Sequence, residues 1–187
     1  MYNYFDSTLN SHDMQKGCFT EESPKFDSDG VIERINLLAQ KFRDLDAPVI
    51  FIQQDSSKWN RLIPNTSEWE ILSNLQVGNN DISINKTAND AFYQSNLHSL
   101  LNDLKIKEIF ITGFATEFCV DATIQSALIK DFDITVVKNG HTTGDKLHIT
   151  AKQIIEHHNW VWQNMIPTKG RIKVVNDEEL EITTTKT

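Results

Sequence analysis

Glu108-Ile109-Phe110-Ile111-Thr112-Gly113-Phe114-Ala115-Thr116-Glu117-Phe118-Cys119 runs from an apolar segment through a glycine turn to a cysteine. Ile109 to Thr112 predicts a short strand covered on both faces, Gly113 permits a sharp turn, and residues 120–130 carry the apolar spacing of a helix. Cys119 therefore falls at the first turn of a helix that follows a buried strand. N–H groups at a helix start carry about half a positive charge, which favours thiolate and can draw a cysteine pKa from about 8.5 toward neutrality. The arrangement suits a nucleophilic enzyme. The bland counterpart is an inert, buried thiol, so the decision rests on partners elsewhere in the chain.

Outward from this segment, strands and helices alternate. Residues 29–46 place Val31, Ile32, Ile35, Leu38, Ala39, Phe42 and Leu45 on one helical face, with Glu33, Arg34, Lys41 and Arg43 on the other. Pro48 then opens the apolar run 49–53, the pattern of a strand in a parallel sheet. Residues 56–78, with Pro64 and two tryptophans, predict a long ordered connection with one helical turn near Trp69. A short strand at 81–85 and a helix at 89–104 follow, then the strand at 108–112, the helix at 120–130 and a strand at 134–138. Thr150 caps a further helix. A last strand at 172–175 precedes an acidic, threonine-rich tail from 177 that is expected to fray. This order predicts one α/β domain over residues 1–187: a doubly wound, mainly parallel sheet with helices on both faces, and reactive groups at the carboxyl ends of its strands.

Composition narrows the function classes. The 187 residues hold 39% hydrophobic and 24% charged side chains, ordinary for a soluble globular domain, and no apolar run approaches the roughly 20 residues needed to span a bilayer. The first ten residues lack a basic segment followed by an apolar one, so the expected compartment is cytoplasmic. A net charge of −8 without any Lys/Arg block argues against nucleic-acid binding. The two cysteines, Cys18 and Cys119, allow at most one bridge, and a reactive Cys119 favours a reducing compartment.

Three residues at strand ends stand out as chemical candidates: Asp13, Lys86 and Cys119. Asp13 could take the thiol proton, Lys86 could stabilise thiolate and developing negative charge, and the backbone N–H groups of residues 115–119 could hold an oxyanion. Singly, each has an ordinary reading as a solvated or packed residue.

Together the motifs Asp13-Met14-Gln15-Lys16-Gly17-Cys18-Phe19, Lys86 with Asp90-Ala91-Phe92, and Thr112-Gly113-Phe114-Ala115-Thr116-Glu117-Phe118-Cys119-Val120-Asp121 resemble the isochorismatase-like cysteine hydrolases. The resemblance runs from Asp13 to Asn159. It implies an Asp, Lys, Cys triad with Asp13 as base, Lys86 as cation and Cys119 as nucleophile. It also implies a cis peptide between Phe114 and Ala115 that turns backbone donors toward the substrate carbonyl. His141-Thr142-Thr143 and the stretch Gln153 to Asn159 are most similar to the branch containing streptothricin-hydrolase-like amidohydrolases. Nicotinamidases, a less close match, typically carry a metal-binding Asp-x-His motif where this chain has Gln53-Gln54-Asp55-Ser56-Ser57. No metal or cofactor is expected: His157 and His158 are helix neighbours that cannot share a face, and His141 and His148 are placed in a loop.

Two departures from the family pattern carry expectations. The first strand is normally a continuous apolar run, but here it is Ser7-Thr8-Leu9-Asn10-Ser11-His12. A buried central strand should not be this polar, so the expectation is either a short, distorted strand or a displaced Asp13 with reduced activity. Asn139-Gly140 stands where many relatives carry Asp-Ala, which could alter a hydrogen bond near the sheet edge.

The resulting expectation is a cysteine hydrolase acting on a C–N bond of a small amide, lactam or ureide through a thioester. Phe19, Gln54, Trp69 and Phe118 are candidates for the pocket wall. The rivals are vinyl-ether hydrolysis of the isochorismatase type, which relies on Asp13 without the cysteine, and a non-catalytic binding or scaffold member of the fold. A redox-sensing thiol is a weaker third. The partner is a small-molecule substrate, with neither nucleic acid nor membrane. A homo-oligomer, dimer or tetramer, is expected from the resemblance, with Trp160-Val161-Trp162 as a contact unless these tryptophans close the core.

Overall fold

A computed structural model describes residues 6–180 and 182. Residues 1–5, within the segment read as lacking a leader, lie outside the described residues, as do 181 and 183–187 of the acidic tail. The chain forms β1 (Ser7–His12), α1 (Ser28–Asp44), β2 (Val49–Gln54), β3 (Ile82–Lys86), α2 (Leu97–Asp103), β4 (Glu108–Phe114), α3 (Asp121–Ile129), β5 (Asp133–Thr142), α4 (Ala151–Gln163) and β6 (Ile172–Val175). The six strands form one parallel sheet in the order β3-β2-β1-β4-β5-β6. The chain builds outward from β1 to β3, then returns to β4 and builds outward the other way. That reversal opens a crevice at the carboxyl ends of β1 and β4, the position where such sheets bind ligands. No helix among the described residues is long and apolar enough to cross a membrane.

Alternation along each strand divides the core. Leu9, Phe51, Phe110 and Val137 face α1, whose Val31, Ile35, Leu38 and Phe42 complete one apolar layer. Ile50, Ile52, Ile84, Ile109, Ile111 and Val136 face the opposite layer, built from α2, α3 and the end of α4. Both faces of the central strands are therefore covered, which is why β2 and β4 read as nearly continuous apolar runs. Trp162 lies within this second layer and its Nε1 donates to Asp121 Oδ1 at 2.8 Å, whereas Trp160 is 65% exposed.

The polar first strand is neither short nor distorted. All six residues of β1 are buried, and the strand pairs along its whole length with β4 and from Leu9 to His12 with β2. Backbone pairing and apolar neighbours hold it in the centre of the sheet despite its side chains. Thr8 Oγ1 donates to the Pro48 carbonyl at 2.9 Å, but Ser7 Oγ, the Asn10 amide, Ser11 Oγ and both His12 ring nitrogens have no partner among the described residues.

Other elements differ from their sequence-based bounds. Of residues 89–104, only Leu97–Asp103 are helical. The preceding residues form turns: Phe92 N donates to Asp90 Oδ1, Ala91 N donates to Thr123 Oγ1, and Gln94 has φ of 50°. These side-chain acceptors compete with helical bonding. β5 extends to Thr142, because the irregularity between Ile111 and Gly113 lets Gly113 and Phe114 pair with His141 and Thr142. His141 is thus a strand residue, where a loop had been expected. Asn139 does carry hydrogen bonds near the sheet edge: its Nδ2 donates to Asp177 Oδ1 at 2.6 Å, and its carbonyl accepts from Arg34 Nε at 2.7 Å. Within the tail, Asp177–Glu179 form a 3-10 turn.

Candidate active site

Asp13 follows β1 directly and adopts φ of 48°, a left-handed conformation that Asp tolerates better than most residues. Its N–H donates to the Ile52 carbonyl at 2.8 Å, and its own carbonyl accepts from Gln15 N at 2.8 Å. This tight turn holds the carboxylate over the end of the sheet. Lys86 is the last residue of β3, inside the strand instead of just beyond it, and its register partner on β2 is Gln54. The lysine side chain reaches back across β2. Its Nζ lies 2.9 Å from Asp13 Oδ2 and 3.2 Å from Cys119 Sγ, and it donates to Gln54 Oε1 at 2.6 Å and to the Ala88 carbonyl at 3.1 Å.

Cys119 sits in a π-helical turn, Thr116–Val120, that precedes α3, so the helix assigned to 120–130 begins one residue later and is entered through a wider turn. Single π turns recur at functional sites. Two features shape this segment. Gly113 has φ of 112°, and a Cβ there would lie 2.3 Å from the His12 carbonyl oxygen, so only glycine lets β4 approach β1 beside Asp13. The Phe114–Ala115 peptide is cis, as the family resemblance implies. Of the backbone donors proposed for an oxyanion, Phe118 N is committed to the Ala115 carbonyl at 3.0 Å. The turn is braced from behind by Thr116 Oγ1, 2.9 Å from His141 Nδ1, whose Nε2 lies 3.1 Å from Asn159 Oδ1. Burial, assisted by His158 and opposed by the bond to Asn159, lowers the His141 pKa to about 4, so the ring is neutral and Nδ1 can accept from Thr116.

The electrostatics differ from those expected of a bare helix start. Burial, and then the Asp13 carboxylate, push the Cys119 thiol well above its ordinary range, with Lys86 working against both. Burial also raises the Asp13 carboxyl, against the pull of Lys86 and Cys119. For Lys86, burial acts against the ammonium, but Asp13 and Cys119 outweigh it and the pKa rises. These shifts favour thiol over thiolate at Cys119 and bring the Asp13 carboxyl closer to accepting a proton.

These groups open on a cavity of about 1040 Å³ lined in part by Asp13, Gln54, Asn89, Phe114, Phe118 and Cys119. Gln54 and Phe118 line it as expected. Phe19 and Trp69 do not: Phe19 packs on the Phe114 ring at a centroid distance of 5.3 Å, and Trp69 contributes its carbonyl to Gln15 Nε2 and Gln53 Nε2 from a turn behind the wall. Their bulk suggested substrate contact, but the Phe19 ring is taken up by Phe114. Sequence reasoning missed Asn89, whose Oδ1 is 3.7 Å from Cys119 Sγ, and the cavity cations Lys25 and Arg61. Asn89 was visible only as the neighbour of Asp90-Ala91-Phe92. Cys18 also lines the cavity, with its thiol pushed up to about 12 by burial and then by Asp13.

Comparison with known proteins finds relatives of the whole fold. Streptothricin hydrolase of Streptomyces noursei is 29% identical over 119 residues, covering 64% of this chain and 47% of that protein. The uncharacterized isochorismatase family protein YaaI of Bacillus subtilis (strain 168) is 28% identical over 116 residues, covering 58% and 64%. The chain thus spans less than two thirds of the length of these curated relatives. A solved isochorismatase family protein superposes with a TM-score of 0.82 at 30% identity, covering 90% of this chain and 98% of the other. The isochorismatase domain model matches residues 8–166, and the chain belongs to the isochorismatase family.

Proposed function

We propose that the protein is a hydrolase that cleaves a C–N bond of a small amide, lactam or ureide through a thioester on Cys119. The observation that carries this reading is the placement of Lys86 Nζ between the Asp13 carboxylate and the Cys119 thiol, at 2.9 and 3.2 Å, on the wall of an open cavity. A nucleophile, a base and a cation in mutual reach are what acyl transfer to a thiol requires.

As the Cys119 thiol attacks, Asp13 takes its proton and Lys86 balances the charge that develops on both partners. The tetrahedral oxyanion is stabilised by backbone N–H groups of the turn from Ala115 to Cys119, other than that of Phe118. Asp13 then returns the proton to the departing amine or ammonia. Water, deprotonated by the same carboxylate, hydrolyses the thioester and restores the thiol. The name of the Streptomyces noursei relative is consistent with hydrolysis of this kind.

Turnover of a panel of small amides and ureides, with acid quenching and mass spectrometry of the Cys119 peptide, tests the reading. An acyl adduct on Cys119 and loss of turnover in Cys119→Ala are the expected results. Full activity in Cys119→Ala would overturn the thioester route and favour chemistry relying on Asp13 alone.

A further inference from the structure

Lys86 is buried, and its ammonium has more acceptors around it than hydrogens to donate. Gln54 Oε1 is nearest at 2.6 Å, followed by Asp13 Oδ2 at 2.9 Å, the Ala88 carbonyl at 3.1 Å and Cys119 Sγ at 3.2 Å. Asp13 and Cys119 exchange a proton in the proposed reaction, so the negative charge they present to Lys86 moves. The other two acceptors are neutral oxygens whose charge stays constant, and of these only Gln54 offers a side chain. One orientation of its amide satisfies the neighbours. An ammonium can only donate and so requires Oε1, and Nε2 then donates to the Asp55 carbonyl at 2.9 Å. Gln15, fully buried, clamps the Gln54 backbone. Its Oε1 accepts from Gln54 N at 2.7 Å, and its Nε2 donates to the Gln54 carbonyl at 3.1 Å and to the Trp69 carbonyl at 2.9 Å. The amide nitrogen and oxygen of both glutamines are thereby engaged, and a polar network satisfied in this way specifies one rigid arrangement.

We propose that Gln54 is a positioning residue for Lys86. Its amide oxygen fixes the ammonium at one point, within reach of both Asp13 and Cys119, while the proton moves from Sγ to the carboxylate and the negative charge moves the other way. A cation held in place before the charge shifts needs no reorganisation when it does. Neutrality is part of the role, because a carboxylate at the same point would compete with Cys119 for the cation. Gln15 supports Gln54 through the backbone. The assignment rests on reading Cys119 as the nucleophile of a C–N hydrolase, and it gives Gln54, which also lines the cavity, a role through Lys86 instead of through substrate.

A double-mutant cycle on Cys119 reactivity tests this. Alkylation by iodoacetamide is followed against pH, with peptide mapping to separate Cys119 from Cys18. Gln54→Met keeps the size of the side chain and removes the acceptor, and the Cys119 rate at a given pH is expected to fall about three- to tenfold, because a displaced cation favours the thiolate less. In a Lys86→Met background the same substitution should change nothing, since Gln54 acts only through the lysine. Gln54→Glu, which keeps an oxygen at that point and adds charge, should slow alkylation further, and it still reads the contact if Gln54→Met fails to fold. For any amide that is turned over, Gln54→Met should lower kcat about tenfold and leave KM within about twofold. A rate unchanged by Gln54→Met, or a fall that persists undiminished in Lys86→Met, overturns the assignment. So does a raised KM at unchanged kcat, which would make Gln54 a substrate contact. Because alkylation needs no turnover, an unchanged rate beside intact amide hydrolysis leaves the hydrolase standing. An effect that vanishes with Lys86, in a protein inert toward every amide, supports the positioning role and removes the hydrolase.

Discussion

Asp13 carries two opposed duties, and one substitution separates them. In the proposed reaction its carboxylate accepts the Cys119 proton, and it is also, after burial, the main influence holding that proton on sulfur. In Asp13→Asn the raising charge is gone while Lys86 remains 3.2 Å from Sγ, so the thiol pKa falls. Asn accepts the left-handed φ of 48° as readily as Asp, so the turn is preserved. Cys119 in this variant should alkylate with iodoacetamide faster at pH 7–8, by about tenfold for each unit the pKa drops. Amide turnover should fall by about 10²- to 10⁴-fold, the usual contribution of a general base. An alkylation profile identical to wild type would remove Asp13 as the group that holds the thiol protonated. At this scale the motifs were legible in the sequence, because the triad residues stand beside recognisable turns. The protonation state was not: the helix-start argument implied a thiolate, and burial with a neighbouring carboxylate reverses it.

Among the elements, β1 is the exception to its own sheet. β2 and β4 carry apolar residues on both faces, Val49 to Ile52 and Ile109 to Ile111, as strands buried on both sides should, whereas β1 buries Ser7, Thr8, Asn10, Ser11 and His12. Asn10 lies between Ile50 and Ile111 in register, in the layer facing α2 and α3, and neither amide atom has a partner among the described residues. An unsatisfied buried amide costs about 1–3 kcal/mol. Asn10→Leu, of similar volume, should therefore stabilise the fold by that order, read as a higher urea midpoint at unchanged m-value. A lower midpoint would mean that the amide is satisfied in solution. The strand defeats pattern reading because its burial is imposed by β2 and β4, not by its own side chains. The turns at residues 89–96 mislead in the opposite way: their apolar spacing is helical, but Asp90 and Thr123 capture the backbone N–H groups that a helix would use.

For the molecule as a whole, two buried neutral histidines set the acid limit. Burial, then Lys86, lowers the His12 pKa to about 3, and burial lowers that of His141 to about 4. Both lie below the unfolded value near 6.5, so the unfolded chain binds more protons and stability is lost as pH falls below about 6.5. Each histidine contributes a slope approaching 1.4 kcal/mol per pH unit once the unfolded imidazole is protonated. Urea titrations between pH 7 and 5 should show this decline, and His12→Gln should remove about half of it; a flat profile would place both rings in contact with solvent. The alternation of apolar periods, the order of strands and helices, and the residue types of the triad were determined by the sequence itself, because each is a local pattern. Only the tertiary structure decided that polar β1 is central, that burial disfavours the thiolate, that Phe19 and Trp69 lie off the cavity lining, and that Lys25 and Arg61 line one cavity. Burial and electrostatic neighbourhood arise between segments distant in the chain, and no local period encodes them.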